Sequence, residues 1–229
     1  MSPGAPRDTT AFEVRDALAE PGCAVCRLSI RSVARLIRSI AYEQVNDVGL
    51  REQLRRAGGF CNVHAYQWLN QARSVLGTAL IYRDVLQAAL TDIDSATVSG
   101  QPRRGLRGLL GGGHSEARCP ACQAQAEAET RYLEALLAIA AAEPATIEGS
   151  DATCLRHTLA AVRARHLGTD SVVRRAHAAV EQMLSELDEV VRKEDYRFRH
   201  EPRSQAERTS PARAIAWAAG TDGLVGYSG

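Results

Sequence analysis

All six cysteines of the chain fall into one ordered pattern that occurs twice: Cys23-x-x-Cys26 followed by Cys61-x-x-His64, then Cys119-x-x-Cys122 followed by Cys154-x-x-His157. Matching residues of the Cys-x-x-Cys pairs lie 96 positions apart and those of the Cys-x-x-His pairs 93, so the two copies differ by three residues of loop. A repeat at metal-preferring side chains means the fold must gather four such ligands on two occasions. Residues i and i+3 at a helix start lie on one side about a turn apart, so each pair can offer two ligand atoms to one ion. Spacing alone reads as one site per half, with Cys23, Cys26, Cys61 and His64 in the first and Cys119, Cys122, Cys154 and His157 in the second. If the two helices of a half run antiparallel, both N-termini meet at the metal. A Cys3His zinc centre carries a net charge of about −1, and helix N-termini favour that charge and help to depress thiol pKa.

The rest of the chain is the material of helices. Hydrophobic residues make up 45% of it, enough to fill a core, while aromatics are only 5% and β-branched residues rarely cluster. The expected fold is all-α: two pseudo-repeated helical halves packed together, each pinned by a Cys3His site. Net charge of +1 gives no pull toward nucleic acid or an anionic membrane. No stretch approaches the roughly 20 apolar residues of a membrane span, and the start MSPGAPRDTT lacks signal-peptide order, so a cytoplasmic location is expected. Thiols are kept reduced there, which favours metal over disulfides.

The expected organisation is an N-terminal helix over 1–20, a first metal-binding repeat over 21–94, a Gly/Arg linker over 95–117, a second repeat over 118–198, and a tail with a short helix over 199–229. Asp8 and Asn46-Asp47 are helix-cap candidates, Pro21-Gly22 a turn, and Gly58-Gly59 a helix stop. One helix is expected to run for most of the segment from Phe60 to Leu90, with apolar positions Trp68, Leu69, Val75, Leu76, Leu80 and Val85. Residues 143–153 read as a loop after a stop or kink at Pro144. Thr169-Asp170 reads as the cap of the last long helix, in which Val173, Ala176, Val180, Met183, Leu184 and Leu187 mark one face. Pro211 is placed in the first turn of the terminal helix.

Four protein ligands leave zinc no open position, so such sites are structural and imply no catalysis. The alternative cofactor is a pair of [4Fe–4S] clusters, which also take four protein ligands and would make the protein a redox or sensor protein. The zinc reading suggests an interaction or regulatory module with a protein partner. A further alternative is an enzyme with a pocket between the halves, using Glu43, Asp47, Glu194 or Tyr196, although capping and surface pairing account for these. Cys-Pro-Ala-Cys at 119–122 matches a dithiol redox spacing but lacks the βαβ context. Solvated faces account for His114, His166, His177 and His200, and solvation for Arg103, Arg104 and Arg107. Trp68 and Trp217 read as packing residues.

Taken together, the paired motifs with YEQVND (Tyr42–Asp47), GFCNVHAYQW and EDYRF resemble an uncharacterised family of bacterial all-helical proteins classed as a domain of unknown function. The likeness covers about residues 20 to 198. It implies a duplicated, metal-binding helical domain whose ligands are the same eight residues, and no assigned activity.

Overall fold

The computed structural model describes residues 8–99 and 119–224, and among these residues the chain forms ten α-helices and no strand. They are α1 (Thr9–Leu18), α2 (Ala24–Ser39), α3 (Val48–Ala57), α4 (Asn62–Gln71), α5 (Val75–Ser99), α6 (Pro120–Ala142), α7 (Pro144–Glu148), α8 (Leu155–Ala164), α9 (Thr169–Arg192) and α10 (Gln205–Ala219). The all-α expectation holds. None of these helices is long and apolar enough to cross a membrane.

The anticipated caps form. Asp8 accepts from the Ala11 amide at 2.7 Å, Asp47 accepts from Leu50 at 2.7 Å, and Gly58 closes α3 at φ 71°, a left-handed conformation that costs glycine little. Other boundaries differ from expectation, each for a local reason. The helix expected from Phe60 breaks at Arg73 (φ 46°), because Ser74 caps a new helix by accepting from the Gly77 amide at 3.0 Å. Consequently Leu69, Val75 and Leu76 are exposed while Trp68 and Val85 are buried. Pro144 starts α7 rather than a loop, sitting at a first helical position where its missing N–H is no loss. Thr169 is the first residue of α9 and not its cap; its hydroxyl donates to the Ala161 carbonyl at 3.1 Å. Ser204 and Glu207 form a reciprocal capping box that starts α10 six residues before Pro211. Residues 95–99 belong to α5; residues 100–117, with Arg103, Arg104, Arg107 and His114, lie outside the described residues.

The helices pack as two compact units. One comprises described residues 8–29 and 128–224, the other 30–99 and 119–127. Each of α2 and α6 therefore contributes one end to each unit, and the units do not coincide with the expected repeats over 21–94 and 118–198. In the first unit α1 lays Ala11, Val14 and Leu18 against Val25 and Leu28 of α2 and Tyr132, Leu136 and Leu137 of α6. The Tyr132 hydroxyl donates to Glu13 at 2.7 Å, so this large ring is buried with its polar end satisfied. The chain's only lysine, Lys193, is buried in this unit, where its Nζ reaches both carboxylate oxygens of Glu207 at 2.8 Å and joins the end of α9 to the start of α10. In the second unit Val33, Ile37 and Ile40 pack with Leu54, Phe60, Trp68 and Ile81. Phe60 stacks on Trp68 with ring centroids 5.6 Å apart, and the indole N–H donates to Thr78 at 2.9 Å.

Candidate metal centres

The eight predicted ligands form two groups of four, but the groups are crossed relative to the expectation of one site per half. Cys23 and Cys26 meet Cys154 and His157 in the first unit, and Cys61 and His64 meet Cys119 and Cys122 in the second. Each site thus takes its Cys-x-x-Cys from one copy of the pattern and its Cys-x-x-His from the other. Within each group the ligand atoms all lie within 4.8 Å of one another.

The local geometry is as the spacing implies. The first cysteine of every pair is the residue just before a helix, and its carbonyl accepts the first intrahelical bond: Cys23 from Arg27 (3.2 Å), Cys61 from Ala65 (2.8 Å), Cys119 from Gln123 (3.1 Å) and Cys154 from Thr158 (2.9 Å). The second ligand follows one turn later on the same side. Cys61 and Cys154 share nearly identical backbone angles (φ −63°, ψ 166° and φ −64°, ψ 164°) and neither sulfur caps its own helix, so both are left to face the cluster. Two helix N-termini point at each site, a favourable field for thiolate charge. In the first unit the Gly22 amide donates to Asp151 at 2.7 Å, tying the turn before Cys23 to the loop before Cys154.

In both sites the histidine Nδ1 faces the sulfurs. His157 Nδ1 stands 3.5, 3.4 and 3.2 Å from Cys23, Cys26 and Cys154, and His64 Nδ1 stands 3.3, 3.7 and 3.4 Å from Cys61, Cys119 and Cys122. Neither Nε2 has a hydrogen-bond partner, although both are buried. Glu129 Oε2 lies 3.8 Å from His157 Nε2, too far for a hydrogen bond but close enough for electrostatic attraction, and it is held by Arg156 at 2.7 Å. No spacing rule marks Glu129 in the sequence; only α6 passing behind His157 does. The first site is buried throughout, whereas Cys61 and Cys122 of the second are half-exposed, with their sulfurs 3.5 Å apart.

Without metal the clusters share protons. Bonds from Cys154 and Cys23 hold the Cys26 thiol far below the usual range, and bonds from Cys119 and Cys122 do the same for Cys61. Their neighbours Cys23 and Cys122 are pushed up in turn, chiefly by bonds to Cys154 and Cys119. Burial acts to lower the histidine pKa values. It is outweighed for His64 by Cys119 and Cys61, giving about 9, and for His157 by Cys154, Cys26 and the nearby Glu129, giving about 11. These values lie above the unfolded value of about 6.5, so imidazolium stabilises the metal-free fold at low pH and that contribution is lost as pH rises through about 9 and about 11. Metal uptake has the opposite sign, since it must expel the Nδ1 protons and the remaining thiol protons. Metal affinity is therefore expected to fall steeply between about pH 8 and pH 6, with more than one proton released per ion. Metal titrations in weakly buffered solution measure both; uptake without proton release would contradict the assignment of these ligands.

Two of the four residues suggested for an enzymatic pocket are engaged elsewhere in the fold. Asp47 caps α3, Glu194 pairs with Arg203, and Glu43 and Tyr196 are exposed. Trp68 is the buried packing residue expected, whereas Trp217 is only half-buried.

A family model described as a family of unknown function (DUF6062) matches residues 7–223. An uncharacterised 23.9 kDa protein from the xynA 3′ region of Caldicellulosiruptor sp. (strain Rt8B.4) is 39% identical over 69 residues, 30% of this chain. The matched region spans about a third of that relative, 33% of its length. No solved structure matches the chain.

Proposed function

We propose that this chain, which belongs to the DUF6062 family of unknown function, is a helical interaction or regulatory module in which each of two units is held folded by one zinc ion. The observation that carries the reading is the size of the ligand groups. A tetrahedral zinc with Zn–S of about 2.3 Å and Zn–N of about 2.0–2.1 Å sets ligand separations of about 3.5–3.8 Å. All four ligand atoms of each group lie within 4.8 Å of one another, and the hydrogen-bonded pairs among them are 3.2 to 3.7 Å apart. A [4Fe–4S] cluster binds each protein ligand through a different iron, and so asks for a wider set than one ion does. The Cys3His set is ordinary for structural zinc, and with four protein ligands the ion cross-links helix starts and leaves no position for substrate.

The interaction role is supported by an apolar row on α5. Leu86 and Leu90 are 62% and 61% exposed and Ile93 47%, at i, i+4 and i+7 on one helix face. An exposed apolar row of this kind favours a protein partner. Metal analysis with a visible spectrum on freshly purified protein tests the metal: colourless protein with two zinc ions per chain is expected. Brown protein rich in iron and sulfide would sink the zinc reading. Stepwise chelation should remove the second unit's ion first, because its Cys61 and Cys122 are half-exposed.

A further inference from the structure

Beside the first metal centre, wholly within the first unit, lies a cavity of about 460 Å³. The size is that of a small-molecule site. Its wall is mainly apolar, with Ala179, Met183 and Trp217 among its residues, and the metal ligands Cys23 and Cys154 border it. The polar groups that line it are few, and most are already engaged. Arg27 donates to the carbonyls of Ala17 and Glu20, Arg213 pairs with Glu186, and Asp151 accepts from the Gly22 amide.

Arg175 is the arginine of this wall that pairs with no carboxylate among the described residues. Its Nε donates to the Ser150 carbonyl at 2.6 Å, which fixes the guanidinium at the cavity wall, and among the described residues its two η nitrogens have no partner. The Trp217 indole N–H, on the same wall, is also buried without a partner. A guanidinium anchored through Nε and open at its η nitrogens is arranged to receive a carboxylate.

We propose that this cavity binds a monocarboxylic acid with an apolar body, its carboxylate on the Arg175 η nitrogens and its hydrocarbon portion against Met183, Ala179 and Trp217. A single negative charge is specified because the surroundings oppose a second. Asp151 stands in the wall, and a Cys3His zinc centre at its edge adds net charge of about −1. The hydrophobic contacts supply affinity, while the one charged anchor supplies orientation.

The test is calorimetric titration of the zinc-loaded full chain with decanoate and, separately, with 4-phenylbutyrate, with zinc counted in every sample. At least one acid should bind saturably at one site per chain and raise the melting temperature, while decanol should bind at least about tenfold more weakly than decanoate. Arg175→Gln, keeping its zinc, should weaken binding by at least about tenfold. Ala179→Phe, which fills the cavity without touching Arg175, should abolish it. The proposal is overturned if neither acid binds protein carrying its metal, or if both variants bind as the parent does. Because zinc content is read independently, failure here is distinguishable from failure of the zinc reading.

Discussion

Cys26→Ser is expected to leave one zinc ion per chain after dialysis against a weak chelator, and Cys26→Ser with Cys154→Ser is expected to leave the count at one. Cys26→Ser with Cys61→Ser is expected to leave none. The reasoning is the crossed assembly: Cys26 and Cys154 belong to the same ligand group, their sulfurs 3.5 Å apart, whereas Cys61 belongs to the other. The loss should be large because structural zinc contributes about 10 kcal/mol or more of apparent binding free energy that becomes folding free energy. Whole domains have stabilities of only about 5–15 kcal/mol, so a unit without its ion should not stay folded. Trp68 reports on the second unit. In a Trp217→Phe background its emission should shift to that of a solvated indole in Cys61→Ser and in Cys119→Ser, and should change far less in Cys154→Ser. Metal analysis of the double variants decides between assemblies: a remaining zinc in the Cys26/Cys61 variant together with none in the Cys26/Cys154 variant would refute the crossed arrangement.

Gly168→Ala is expected to destabilise the first unit by about 3 kcal/mol or more, lowering its melting temperature by roughly 6–12 °C. Gly168 lies between α8 and α9 against the backbone of α6. A Cβ placed on it would stand 2.1 Å from the Leu137 carbonyl oxygen, 2.8 Å from the Ala141 amide nitrogen and 2.9 Å from the Ala140 Cβ. The first two are main-chain atoms of a buried helix that no rotamer change can move, so the turn must withdraw and open the core around Ile139 and Val172. Gly149→Ala is the control, because its nearest neighbour would be 3.6 Å away. Thermal melts monitored by circular dichroism check both; equal melting temperatures for the two variants would mean the close approach is not present.

These two experiments probe different kinds of legibility. The ligands could be read directly, since an i, i+3 pair at a helix start is a local matter and all four pairs adopt it. The caps at Asp8 and Asp47 were equally local. Ser74 and the Ser204-x-x-Glu207 box carried a local signal too, but the first was masked by an apolar period running through it and the second by Pro211 downstream, itself a helix-start signal. Gly168 carries no signal in the sequence: a glycine near a helix start suits a turn in any fold, and only the position of α6 makes it obligatory. Arg175 is likewise one of many arginines on a helix, distinguished only by what its Nε meets and its η nitrogens do not.

The sequence by itself determined an all-helical chain, eight candidate metal ligands in four pairs, and the helix start on which each pair sits, because backbone propensity, capping and i, i+3 geometry act within a turn or two. Which pair meets which was decided by tertiary structure. α2 begins in the first unit and ends in the second, and α3 and α4 lie wholly in the second. Cys61 therefore arises within the unit that holds the N-terminus of α6, and α6 in turn ends in the first unit, where Cys154 follows. Two identical patterns permit either pairing, and the passage of α2 and of α6 from one unit into the other goes with the crossed one.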